Sequence, residues 1–194
     1  MSSDILLWFD LETTGLDEAT GAILEVGWGL TDTQLNWIAP PVSQVVWPEH
    51  LNIQQGAAGE VENVIFDLVP VDPYVIEMHR TSGLWSDLLE EGYATDQLAL
   101  IEAEILALID QPTGRVTMAG SGVSQFDMRW IAKHMPRLHR NVTYYCIDLG
   151  TYERVDSVLR DGVFRKARGS ADHRALADIM YSHTLALTWK KAMR

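Results

Sequence analysis

Ile5-Leu6-Leu7-Trp8-Phe9-Asp10-Leu11-Glu12-Thr13-Thr14-Gly15 is the stretch from which the rest of the chain is read. The short apolar run Ile5–Phe9 has the character of a buried strand. Gly15 marks the turn after it. Asp10 and Glu12 are two residues apart at the end of that strand. Strand side chains alternate, so the two carboxylates share a face. Two like charges side by side at the end of a buried strand are costly. A hard divalent cation offsets that cost, since Mg2+ and Mn2+ prefer carboxylate oxygens. Taken alone, such a pair reads more readily as two acids in a solvated turn.

Outward from this strand, Ile23–Leu30 and Leu35–Trp47 read as two more strands, with a turn near Thr31–Gln34. Pro40-Pro41 interrupts the third, which is therefore two pieces or an edge. Residues 48–73 are ambiguous, with a short helix expected around 60–68. Leu98, Ile101, Ile105 and Leu108 form one helical stripe over 95–110, with Thr95 or Asp96 as N-cap. Val116–Ala119 is a strand entering Gly120-Ser121-Gly122. Ser124 is expected to cap a helix that runs to about His134 and is stopped by Pro136. Val142–Ile147 is a strand, Asp148 caps the next helix, and a last helix runs from about Arg174 to Lys191. Three strands followed by alternating strands and helices indicate one α/β domain over 1–194 with a mixed sheet.

The chain has 194 residues, enough to bury a sizeable core, and 47% of them are hydrophobic. This excludes a wholly disordered chain. No apolar run approaches the roughly 20 residues of a membrane helix, and Met1–Asp4 carries no basic residue of the kind that opens a secretory signal. The single cysteine, Cys146, makes neither an internal disulfide nor a Cys-rich zinc site, and the cytoplasm is the expected compartment. The net charge is −12. Residues 1–110 contain a single basic residue, Arg80, whereas residues 111–194 are net positive. That basic portion leaves a nucleic-acid partner open, as it does ordinary solvated faces.

Two later segments bear on the Asp10/Glu12 pair. In Gln125-Phe126-Asp127-Met128-Arg129-Trp130-Ile131, Asp127 falls in the first turn of a helix, where an acid is also favourable for dipole reasons. In Asp172-His173-Arg174-Ala175-Leu176-Ala177-Asp178, His173 enters the last helix and Asp178 lies about one turn inside it. Together FDLETTGL, FDMRWI after a Gly-rich turn, and DHRALAD resemble the three motifs of the DEDDh 3′→5′ exonucleases, in the correct order and spacing. The chain is most similar to the oligoribonucleases among them, from Leu6 to about Trp189. Tyr74…His79-Arg80-Thr81-Ser82-Gly83-Leu84 resembles that family's W…H-x-x-S-G-L tract, with Tyr74 where the family has Trp. Tyr144-Tyr145-Cys146-Ile147-Asp148 resembles its Y-x-Y-L-D strand.

The resemblance implies an RNase H-like fold, a mixed five-stranded sheet flanked by helices. It implies metal-dependent 3′→5′ hydrolysis of short single-stranded RNA to nucleoside 5′-monophosphates. Two ions, Mg2+ or Mn2+, would be held by Asp10, Glu12, Asp127 and Asp178, with Asp10 shared between them and His173 as general base. Thr13, Leu16, Tyr74, His79 and Gln125 would contact substrate, with Leu16 as a wedge and Tyr74 stacking on a base. A homodimer is implied as well, with Tyr144 or Tyr145 reaching the partner's site. At the places where oligoribonucleases hold a 5′-phosphate, this chain has Gly122, Tyr145 and Gly150, and Phe126 is an extra residue before the motif acid. That Phe-Asp pair is similar to proofreading and RNase T-type members. A DNA-directed exonuclease and a non-catalytic nucleic-acid-binding protein are the alternatives. The basic stretch Arg160, Arg165, Lys166, Arg168 and Arg174 either guides a longer strand or forms a charged loop.

Overall fold

A computed structural model describes residues 4–94, 97–110, 114–159 and 173–192. Nine residues, Ile5–Thr13, form the central strand β1. It pairs antiparallel with β2 (Ile23–Asp32), and β2 in turn pairs antiparallel with β3 (Trp37–Val45). On its other side β1 runs parallel to β7 (Val116–Gly120), which pairs with β8 (Ile147–Asp148). The order β3-β2-β1-β7-β8 is the expected mixed five-stranded sheet. β3 is an edge, which is where Pro40 and Pro41 are tolerated, and its register with β2 slips between Trp28 and Leu30 to accommodate them.

The residues between these strands differ from the expectation. Instead of a helix around 60–68, β4 (Leu51–Gln55), β5 (Val61–Phe66) and β6 (Val69–Pro70) form a separate three-stranded antiparallel sheet. The buried valines Val61 and Val64 are three apart, a helical spacing. Antiparallel pairing with a register shift at Gln54/Gln55 places both inside without a helix. Helices α1 (Pro73–Thr81) and α2 (Leu84–Glu91) close a core over this sheet with Leu24, Ile76, Trp85 and Leu88.

The main sheet is covered on both faces. Ile5, Leu7, Phe9 and Leu11 pack against α3 (Gln97–Ile109), α4 (Asp127–His134) and α5 (Pro136–Asn141). Leu6 and Trp8 face the other way, onto α7 (Ala175–Ala192), joined by Leu149 at the start of α6 (Leu149–Leu159). Ser124 does not cap α4, because its amide and hydroxyl both bond to Asp148. Pro136 does stop α4, but it also opens α5, where a missing N–H costs nothing. Of Val142–Ile147, only the final residue enters a strand. Among the described residues no helix is long and apolar enough to cross a membrane.

Candidate active site

The alternation along β1 determines what meets what. Leu6 and Trp8 face α7, so Asp10 and Glu12, continuing the same face, meet that helix's first turns. Opposite them on β2 lie Gly27, paired with Asp10, and Glu25, paired with Glu12. Gly27 is required here for close approach. A Cβ at this position would lie 2.9 Å from Ala175 Cβ and 2.8 Å from Ile179 Cδ1. The helix therefore sits directly on the strand, and Asp178 descends to the two carboxylates. Asp10, Glu12 and Asp178 each offer an oxygen within 4.8 Å of the others. Asp127 enters from the opposite layer as the first residue of α4. It is buried, and its Oδ1 has no hydrogen-bond partner.

The electrostatics record this crowding. Burial pushes the Asp10 carboxyl well above its ordinary range, and Asp127, Glu12, Asp178 and Glu25 push it further. Burial raises Glu12 to about 8, reinforced by Asp178, Glu25 and Asp127 and opposed by Arg174. Burial raises Asp127 to about 7, against the backbone amides of Asp127 and Leu11, which favour its ionised form. Buried acids forced towards the neutral form, with an unpartnered oxygen among them, suit a divalent cation. An all-carboxylate donor set suits Mg2+ or Mn2+ rather than a softer metal.

His173 immediately precedes Arg174 and α7. It is partly buried and left-handed, with φ 48°. What fixes this junction is Glu25, a residue the sequence reading passed over. Its buried carboxylate accepts from Arg174 Nε at 3.1 Å, Arg174 Nη2 at 3.2 Å, the Ala175 amide at 3.1 Å and Ser43 Oγ at 2.8 Å. Arg174 also bonds Asp87 at 2.7 Å and the Ser82 carbonyl at 3.4 Å. The signal was a lone acid inside the apolar run Ile23–Leu30, which calls for a buried cation. Arg174 is thus not a free cation for a strand backbone. Arg160, Arg165, Lys166 and Arg168 lie outside the described residues.

The expected substrate contacts divide into exposed and buried groups. Leu16 is 81% exposed on a loop fastened from α4 by Lys133 Nζ, which donates to the carbonyls of Glu18 at 2.6 Å and Ala19 at 2.7 Å. Tyr74 is 72% exposed at the start of α1, behind the Asp72 cap. Gln125 is exposed, and its carbonyl accepts from Arg129 Nε. Thr13 is buried, its hydroxyl donating to the Gly15 carbonyl at 2.7 Å. His79 departs from the expectation. It has no exposed surface, its Nε2 lies 3.0 Å from the Thr13 carbonyl, and its Nδ1 lies 3.9 Å from Glu12 Oε2. It holds the end of the motif strand at Thr13 and lies beside the Glu12 carboxylate.

Comparison with known proteins agrees with this geometry. The family described as Exonuclease (RNase T) matches residues 7–186. An oligoribonuclease of Aliivibrio fischeri is 33% identical over 180 residues, 91% of this chain and 88% of the relative. One from Leifsonia xyli is 32% identical, covering 93% and 80%. Among solved structures, a zinc-bound complex of Escherichia coli exonuclease I with single-stranded DNA superposes with a TM-score of 0.67 at 17% identity, covering 98% of this chain and 41% of that one. Product-bound exonuclease I gives 0.63 at 18%, covering 97% and 44%. The chain spans less than half of those exonuclease I chains, and what it shares with them is the RNase H-like fold. The chain belongs to the exonuclease family. Its activity is that of a 3′→5′ exonuclease, a hydrolase of nucleic acid.

Proposed function

We propose that this protein removes nucleotides from the 3′ end of short single-stranded RNA, releasing nucleoside 5′-monophosphates. The observation that carries the proposal is the cluster of Asp10, Glu12 and Asp178, with the buried Asp127 acting on Asp10 and leaving one oxygen unpartnered. Asp10, Glu12, Asp127 and Asp178 would hold two divalent ions, Mg2+ or Mn2+, which would supply the charge neutralisation that an in-line displacement at phosphorus needs. Asp10, on which Asp127, Glu12 and Asp178 all act, would be the residue shared between the two ions. Partly exposed at the entrance to α7, His173 takes the proton from the attacking water, a general-base role that an imidazole can fill. Leu16 and Tyr74, both exposed, hold the terminal bases by wedging and stacking. Gln125 contacts the strand by its exposed side chain, and Thr13 acts on it by fixing the turn at Gly15.

The turn at Gly120-Ser121-Gly122 bears on strand length. Asp148 accepts from the amides of Gly122, Ser124 and Thr151 and from the Ser124 hydroxyl. These four donors are filled from within the chain and are not free for a 5′-phosphate. With Gly122, Tyr145 and Gly150 standing where oligoribonucleases hold that phosphate, strands longer than two nucleotides are expected substrates. A homodimer is supported by apolar side chains exposed on α6, Tyr152, Val155, Val158 and Leu159, and by Tyr144, which is 93% exposed.

The test is a ladder of 5′-labelled RNA and DNA strands, from dimer to about 20-mer, with Mg2+ or Mn2+. Stepwise shortening from the 3′ end of RNA, continuing beyond the dimer and absent in Asp10→Asn, is expected. Shortening of DNA in preference to RNA transfers the proposal to a DNA substrate. No shortening with either ion refutes it.

A further inference from the structure

We infer that Glu25 and Arg174 are positioning residues for His173: the buried Glu25 carboxylate, gripping the Arg174 side chain and the first amide of α7, holds the His173 backbone in its left-handed conformation. This rests on His173 being the general base.

The argument is one of adjacency and cost. A non-glycine residue at φ 48° is strained, and the strain persists only where its surroundings over-determine it. On the described side of His173, the next two residues both donate to one carboxylate. Arg174 does so through two nitrogens and Ala175 through its amide. That carboxylate stands on β2 opposite Glu12, so the anchor shares a strand pair with the catalytic cluster. Ser43 from β3 fixes Glu25 in turn, and Asp87 and the Ser82 carbonyl fix the far side of the guanidinium. Four groups from β2, β3, α2 and the turn before it converge on this junction. A simple helix cap needs only one acceptor at the Ala175 amide.

The test compares wild type, His173→Ala, Arg174→Ala and the double variant His173→Ala/Arg174→Ala on a labelled RNA strand. Arg174→Ala is expected to lower kcat at least tenfold with KM within twofold, and added guanidinium ion at millimolar concentration restores part of the loss. If Arg174 acts through His173, the double variant is no slower than His173→Ala alone, within about twofold. Arg174→Ala retaining kcat within threefold overturns the inference. So does a loss that adds to that of His173→Ala, or a rise in KM at constant kcat, which makes Arg174 a strand contact. If Arg174→Ala fails to fold, Arg174→Lys is measured instead. Lysine keeps the charge but not the two-pronged bond, and full kcat in that variant overturns the inference. His173→Ala as active as wild type refutes the general-base reading, which separates that failure from a failure of the anchor alone.

Discussion

Replacing Gly27 by alanine perturbs the site without touching any charged group. The new Cβ would lie 2.8 Å from Ile179 Cδ1, 2.9 Å from Ala175 Cβ and 3.1 Å from the Ala175 carbonyl carbon. Carbon atoms in ordinary contact stand about 3.5–4.0 Å apart. Ile179 can rotate its terminal methyl away. Ala175 cannot, because its Cβ and backbone move only with the helix. The first turn of α7 must therefore lift by roughly 0.5–1 Å, at the ~1–3 kcal/mol typical of an overpacked core. That turn carries Asp178 and begins two residues after His173. A displacement of about 1 Å at reacting groups costs up to ~100-fold in rate. Urea unfolding should show a midpoint lower by roughly 0.5–2 M, given slopes of about 1–3 kcal/mol per M. The kcat on a short RNA should fall about 10- to 100-fold. Gly15→Ala, whose Cβ meets nothing within 4 Å, is the matched control and should leave stability within ~0.5 kcal/mol. A Gly27→Ala protein with an unchanged midpoint and kcat within twofold of wild type would refute the close packing of α7 on β2 as the feature that sets the site.

The metal-free protein should lose stability as pH rises. Glu12 and Asp127 have folded-state pKa values raised to about 8 and about 7, so the folded state holds protons that the unfolded chain releases. Their protonated forms stabilise fully below the ordinary carboxylate range, and that contribution is lost through pH 7 to 8. Melting curves in EDTA between pH 5.5 and 8.5 should fall with pH, and Mn2+ should flatten or reverse the slope; identical slopes would contradict the cluster. Tyr74→Ala, at an exposed position, should raise KM roughly 5- to 100-fold while leaving the melting temperature unchanged, as expected for loss of one stacked base. Asp148→Ala leaves the Gly122, Ser124 and Thr151 amides without their acceptor and should cost about 2–4 kcal/mol in urea unfolding.

The parts of the fold that were legible in the sequence are those where one local pattern had one solution. The Ile5–Phe9 run reads as a buried strand, and its alternation carries Asp10 and Glu12 to one face before any partner is known. The helix over Gln97–Ile109 was equally plain from its stripe. Residues 51–70 were not, because Val61 and Val64 are buried at a helical spacing while their strands pair with a register shift. The buried role of His79 was hidden as well. Nothing in its neighbourhood along the chain shows that its ring reaches the Thr13 carbonyl, 66 residues away. Glu25 looked like one more acid in a chain with 27 of them. Only the pairing of β1 with β2, and the closeness that Gly27 permits to α7, make it the acceptor for Arg174.

The central claim is that four carboxylates from β1, α4 and α7 form one divalent-ion centre. Mn2+ titration followed by electron paramagnetic resonance, in the presence of a nucleoside 5′-monophosphate, tests it most directly. Two Mn2+ per chain are expected in the wild type, coupled to one another, with at most one in Asp10→Asn and in Asp127→Asn. Absence of saturable Mn2+ binding, or binding unchanged by either substitution, would contradict the account.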